Sequence, residues 1–162
     1  MTQTIKTEPL TADAFAPFGD VLEASGTPDK IINQGFCGRF NDRAQMDFGP
    51  DGRAGLSIFK ADPRRLPYVL DLVERHPDGS QAFIPMSMDE WLVIVASDLN
   101  GIPTGIRAFL AAPGQAINFH RNTWHGVLTP LHAPGLFAVV DRIGPTPNLQ
   151  EHILKDPYLI EK

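Results

Sequence analysis

The sequence has a single cysteine, Cys37, and that scarcity excludes an intramolecular disulfide and any zinc cluster built on thiolates. A chain of this kind is at home in a reducing compartment. Long hydrophobic runs are missing as well: no stretch approaches the length of a membrane span, and the opening "MTQTIKTEPLTADAF" has no basic start followed by an apolar segment. The expected location is therefore the cytoplasm. Positive charge is in short supply. Fourteen Lys and Arg against 19 Asp and Glu leave a net charge of -5, which gives no electrostatic footing to nucleic acid or an anionic membrane. An anionic substrate has to be held by individual arginines. Also absent are GxSxG, a phosphate-binding glycine loop and HExxH, so no serine hydrolase, nucleotide enzyme or metalloprotease is indicated.

What is present describes a globular chain of one domain, residues 1–162. Hydrophobic residues make up 43% and charged residues 20%, and a chain of 162 residues can bury about two-thirds of its unfolded surface. Fifteen prolines and 14 glycines cut the sequence into apolar pieces of strand length, at a spacing of roughly 8 to 12 residues. This predicts an all-β sandwich or barrel. The expected strands are 19–23, 55–61, 69–75, 80–86, 90–96, 105–111, 115–120, 125–131 and 136–143. A short helix is expected in "TADAFAPF", capped by Thr11, with a weaker helical alternative in "LPYVLDLV". The tail after Pro147 either folds back along the barrel or reaches a neighbouring subunit.

Three clusters carry residues capable of chemistry. In "ERHPDGSQAFIP", Pro77, Asp78 and Gly79 predict a tight turn with Gly79 in the left-handed position, closing a hairpin that brings His76 close to Ser80 or Gln81. A solvated hairpin end is the plainer reading of the same residues. In "PGQAINFHRNTWHGVL", Asn118 and His120 share one strand face, whereas His120 and His125 have opposite parity and meet only if the backbone bends between them. A lone strand histidine is more often structural than catalytic, but here two stand beside Trp124. In "FAVVDRIG", Asp141 and Arg142 read either as a salt-bridged strand end or, through Arg142, as a bidentate clamp for a carboxylate.

The order of these clusters, a turn with His76 and Gln81 followed by a Pro-Gly turn leading to His120, resembles the two-motif layout of the cupin superfamily. That resemblance implies a cupin-like jelly-roll with one or two short helices. It places His76 and His120 at two of the motif's histidines and Gln81 at its glutamate, with Glu74 where a first histidine is usual. A narrower resemblance runs over nearly the whole chain. "AFAPFGDVLE", "RFNDRA", "SIFKADPRRLP", "ERHPDGSQAFIPM", "GQAINFHRNTWH" and "DRIG", in this order, look like the ureidoglycolate lyase family. One departure stands out: the family usually reads Trp-His-His-Pro-Leu where this chain has Trp124, His125, Gly126, Val127 and Leu128.

The resemblance implies a cytoplasmic homodimer that splits (S)-ureidoglycolate into glyoxylate and urea during allantoin breakdown, with a divalent metal such as nickel associated with the family. The expected ligands of such a metal are His76, Gln81 and His120. Proton transfer is expected of His120 first and His76 second, with His125 as a third candidate. Arg142 is the expected carboxylate clamp, with Arg39 and Lys60 as rivals, and Gln81, Asn118 and Asn41 suit the urea group, with Trp124 beside it. Two other readings stay open: a different cupin enzyme, such as a metal-dependent dioxygenase or an isomerase, and a non-catalytic module that binds a small metabolite.

Overall fold

The computed structural model describes residues 3–162. Its elements, in order, are β1 (Gln3–Pro9), α1 (Ala12–Phe15), β2 (Gly19–Leu22), β3 (Lys30–Ile32), β4 (Cys37–Arg39), β5 (Arg53–Lys60), β6 (Tyr68–Arg75), β7 (Gln81–Pro85), β8 (Trp91–Leu99), β9 (Ile102–Ala111), β10 (Ala116–Phe119), β11 (Trp124–His125), β12 (Thr129–Pro130), β13 (Leu136–Ile143) and β14 (Gln150–Glu161). The fold is all-β and cupin-like. Each expected strand forms, although 125–131 splits into β11 and β12 around Gly126. Thr11 caps α1 by accepting a hydrogen bond from the Ala14 amide at 3.2 Å, and the alternative helix at 66–73 is strand β6 instead. No helix among the described residues is long and apolar enough to cross a membrane.

Seven strands lie in the order β11-β6-β14-β1-β9-β8-β12, and the additional pairing of β11 with β8 joins the two sides of this sheet into a small closed barrel. A second sheet, β2-β10-β7-β13-β5, packs against it. Alternation along β8 shows how one strand serves both spaces. Leu92, Ile94 and Ala96 point into the barrel with Leu70, Val73, Trp124 and Ile160, while Trp91, Val93 and Val95 point out into a core shared with Phe83, Phe119, Ile117 and Val139 of the second sheet.

The tail resolves the choice left by the sequence. β14 runs back antiparallel to β6 and parallel to β1, with Ile160 fully buried between them. β6 and β7 belong to different sheets, so the Pro77-Asp78-Gly79 turn is a crossing between sheets and not the expected hairpin. Gly79 is not among the residues with positive φ. It is needed for space instead: a Cβ there would sit 2.8 Å from Arg142 Cβ and 2.9 Å from the Asp47 carbonyl.

Candidate active site

Strand alternation assigns each polar candidate to a face. Glu74 is the register partner of His125, and His125 is the partner of Val95, so all three project toward the core between the sheets. His76 follows Glu74 by two residues and joins them as β6 ends. The ligand atoms of Glu74, His76 and His125 lie within 4.8 Å of one another, and the two imidazole centroids are 5.2 Å apart. From the opposite sheet, the Phe119 ring stacks on His125 at 4.2 Å and 8°. Gln81 is the register partner of both Phe119 and Asp141, which puts it on the same inward face beside that stack.

His76, His125 and Gln81 are each oriented in this gap from behind. His125 Nδ1 donates to the Gly126 carbonyl at 2.9 Å, and His76 Nδ1 donates to the Asn148 carbonyl at 2.7 Å. A neutral ring that spends its one N–H in this way presents Nε2 as a bare acceptor. Gln81 Nε2 donates to Asp141 Oδ2 at 3.1 Å, which turns Oε1 away from that carboxylate. The consequence is visible in the buried polar atoms: His76 Nε2, His125 Nε2 and Gln81 Oε1 are all buried without a partner. Burial, then the neighbouring His76, pushes His125 down to about 3 against a weaker opposing pull from the Gly126 carbonyl, so its ring is neutral. Burial raises Glu74 above the usual carboxylate range, His76 opposes that rise, and Glu151 across the strand pair adds to it.

The sequence-based site is thus divided. His76 and His125 meet, and Gln81 lies beside them. His120 does not belong with them. It continues the parity of Asn118, which faces the other side of the second sheet, and its Nε2 lies 3.0 Å from Asp20 Oδ1. Asn118 donates to Asp20 Oδ2 at 3.0 Å and to the Gln45 carbonyl at 3.1 Å, tying the 45–48 segment to the sheet. The expected ligand set His76, Gln81 and His120 is therefore not brought together, and the group of histidines and carboxylates that could hold a metal ion is Glu74, His76 and His125. Asp20, Arg43, Gln45 and His120 instead line a separate cleft of about 360 Å³.

The expected substrate-binding residues are also redistributed. Arg142 alternates with Asp141 and so takes the face away from Gln81, where Nε donates to the Phe48 carbonyl at 3.0 Å. Trp124 faces the barrel interior, opposite in parity to His125, and its Nε1 donates to Asp98 at 2.8 Å under the Arg75 guanidinium. Lys60 is five residues along β5 from Gly55, which lies in the row of Asp141 and Gln81; at roughly 3.3 Å per residue that is about 16 Å. Arg39 and Asn41 are exposed at the β3–β4 arm, where the Asn41 amide donates to Asp29. The sequence singles out Glu74 and Asp141 without giving either a role at this site, and it does not single out Asn148. For Glu74 a signal existed: Glu-x-His at the end of a strand puts both side chains on one face.

A family model described as ureidoglycolate lyase matches residues 2–161. The chain belongs to the ureidoglycolate lyase family. A ureidoglycolate lyase of Rhodobacter capsulatus is 60% identical over 154 residues, covering 95% of this chain and 96% of the relative. One from Chelativorans is 49% identical, covering 94% and 93% of the two chains, and ureidoglycolate lyase 2 of Rhizobium meliloti is 46% identical, covering 94% of each. The departure from the family at Gly126 does not touch the gap. A Cβ at Gly126 would point to Ile94 and Leu70, at 3.2 Å from Ile94 Cβ, so a side chain there enters the barrel interior.

Proposed function

We propose that this chain is a carbon-nitrogen lyase that splits (S)-ureidoglycolate into glyoxylate and urea, in allantoin breakdown, at the gap formed by Glu74, His76, His125 and Gln81. The family assignment supports the reaction, and the polarity of the gap supports the place. Three buried acceptors without partners, His76 Nε2, His125 Nε2 and Gln81 Oε1, stand there with the Glu74 carboxylate. Leaving such groups unmatched costs about 1–3 kcal/mol each. They complement a cation, or a substrate rich in N–H and O–H groups such as ureidoglycolate.

The reaction is an elimination that consumes no water. The hydroxyl on the central carbon gives up its proton, the carbonyl of glyoxylate forms, and the carbon-nitrogen electron pair leaves with the ureido nitrogen. His76 receives the hydroxyl proton on Nε2, the Glu74 carboxylate beside it stabilises the imidazolium, and the proton passes to the departing nitrogen to complete urea. His125, held neutral by burial, serves as a fixed acceptor. Gln81 Oε1, aimed by Asp141, accepts from the ureido N–H groups.

Glu74, His76 and His125 also fit a divalent metal, because each imidazole is oriented by a backbone carbonyl as metal-binding histidines usually are. When bound, such an ion supplies Lewis-acid polarisation of the substrate oxygens and reduces the demand on a protein base. The decisive experiment follows glyoxylate and urea from racemic ureidoglycolate, before and after chelation and with added nickel. Both products are expected above the uncatalysed rate; their absence across a range of metals overturns the assignment, and ammonia in place of urea makes the enzyme a hydrolase. Two histidines and one carboxylate are also the donor set of non-haem iron oxygenases. Oxygen uptake with iron(II) and ureidoglycolate distinguishes that reading.

The expectation of a homodimer is supported by the outward face of β5, where Leu56 and Ile58 are 73% and 59% exposed. Light scattering on the purified protein tests it.

A further inference from the structure

We infer that Asn148 is a positioning residue that fixes the tautomer of His76. The inference rests on the active-site reading above, since it concerns the atom that His76 presents to the gap.

Asn148 holds the His76–Asp78 crossing at two points. Its carbonyl accepts from His76 Nδ1 at 2.7 Å, and its side-chain Oδ1 accepts from the Asp78 amide at 2.7 Å. A third tie comes from Thr146, whose hydroxyl donates to Asp78 Oδ2 at 2.7 Å. Two residues beyond Asn148, Gln150 pairs with Arg75 in register and accepts from its Nε at 2.7 Å, so the segment is anchored on its far side too. The Asn148 side chain thereby sets where its own carbonyl stands.

That carbonyl can only accept. The imidazole must therefore carry its proton on Nδ1 and leave Nε2 as a lone pair, the form needed either to take a proton or to ligate a cation. The opposite tautomer puts an N–H into the gap and can do neither. His125 needs no such residue, because the Gly126 carbonyl that orients it belongs to the next peptide unit. His76 depends on a segment 72 residues away in the chain.

The substitution Asn148→Ala removes the Oδ1 acceptor, and Asn148→Asp keeps an acceptor of the same reach. Long-range proton-nitrogen NMR correlations on metal-free protein labelled at histidine nitrogen read the His76 tautomer directly, and calorimetric titration with nickel(II) reads its consequence. Wild type and Asn148→Asp are expected to show the Nδ1–H form alone. Asn148→Ala is expected to show a tautomer mixture, with nickel affinity lower by roughly 10- to 100-fold. An Asn148→Ala protein with an unmixed Nδ1–H ring overturns the inference, as does an Asn148→Asp protein as perturbed as Asn148→Ala. The tautomer is read without substrate, so failure of the wild type to cleave ureidoglycolate removes the functional reading and leaves this result standing.

Discussion

At the residue scale, the two sides of β10 separate histidines that look equivalent in the sequence. His125 lies inward against Phe119, whereas His120 stands on the reverse side with its Nε2 3.0 Å from Asp20 Oδ1. The substitution His125→Ala is expected to abolish nickel binding and lower kcat by at least 100-fold, with melting still cooperative. The same change at His120 is expected to leave kcat within a few-fold of wild type. Steady-state kinetics on the two variants side by side check this, and an inactive His120→Ala with an active His125→Ala would place the site on the wrong side of the sheet. Arg142 makes a similar point. Its stem packs over Gly79 and its Nε holds the Phe48 carbonyl, which is the work of a tether for the 47–52 loop.

At the element scale, β14 does most to position the gap. Its pairing with β6 fixes the strand that carries Glu74 and leads into His76, and the segment before it brings Asn148 to the His76 ring. The sequence gives this strand little contrast: exposed Ile153 and buried Ile160 read alike, and a register shift between Ile153 and Tyr158 breaks its alternation. Truncating a fully buried side chain such as Ile160 leaves a cavity among Leu70, Ala108 and their neighbours. Ile160→Ala is therefore expected to cost about 2–5 kcal/mol, read as a lower urea midpoint with an unchanged m-value. A loss below 0.5 kcal/mol would mean that β14 is not a packed wall of the barrel.

At the scale of the whole molecule, the β2–β10 side of the second sheet is tied partly by charge, and Asp20 makes a pH-dependent contribution there. Burial works to raise its pKa, but hydrogen bonds from the Asn118 side chain, the Gln45 amide and His120 outweigh that, and the net shift is downward from 3.8. A carboxyl lowered on folding contributes stability that is fully present above its unfolded value. It is lost as pH falls through the lower folded value. Urea unfolding between pH 7 and pH 2 is expected to show part of the acid loss below about pH 4. In Asp20→Asn that part of the slope disappears, and an identical acid limb in the variant would remove Asp20 from the account.

The sequence by itself determined the strand content and the family, and it singled out His76 as a ligand candidate and His125 as a proton-transfer candidate, both of which stand in the cluster with Glu74. These are local properties: alternation of apolar residues, turn chemistry, and motifs read within a dozen residues. It also implied a ligand at Gln81 and left Glu74 as an apparent gap in the cupin pattern. Only the tertiary structure decided which histidines meet, because parity across the bend at residues 120–124 depends on how the chain turns between β10 and β11. It also decided that the Pro77-Asp78-Gly79 turn crosses between sheets, since the partner of a strand is chosen by the packing of both faces and not by the turn alone. The contacts that orient the gap, Asn148 to His76 and Asp141 to Gln81, join residues 72 and 60 positions apart. No local pattern encodes such pairs, and they exist only once the barrel has closed.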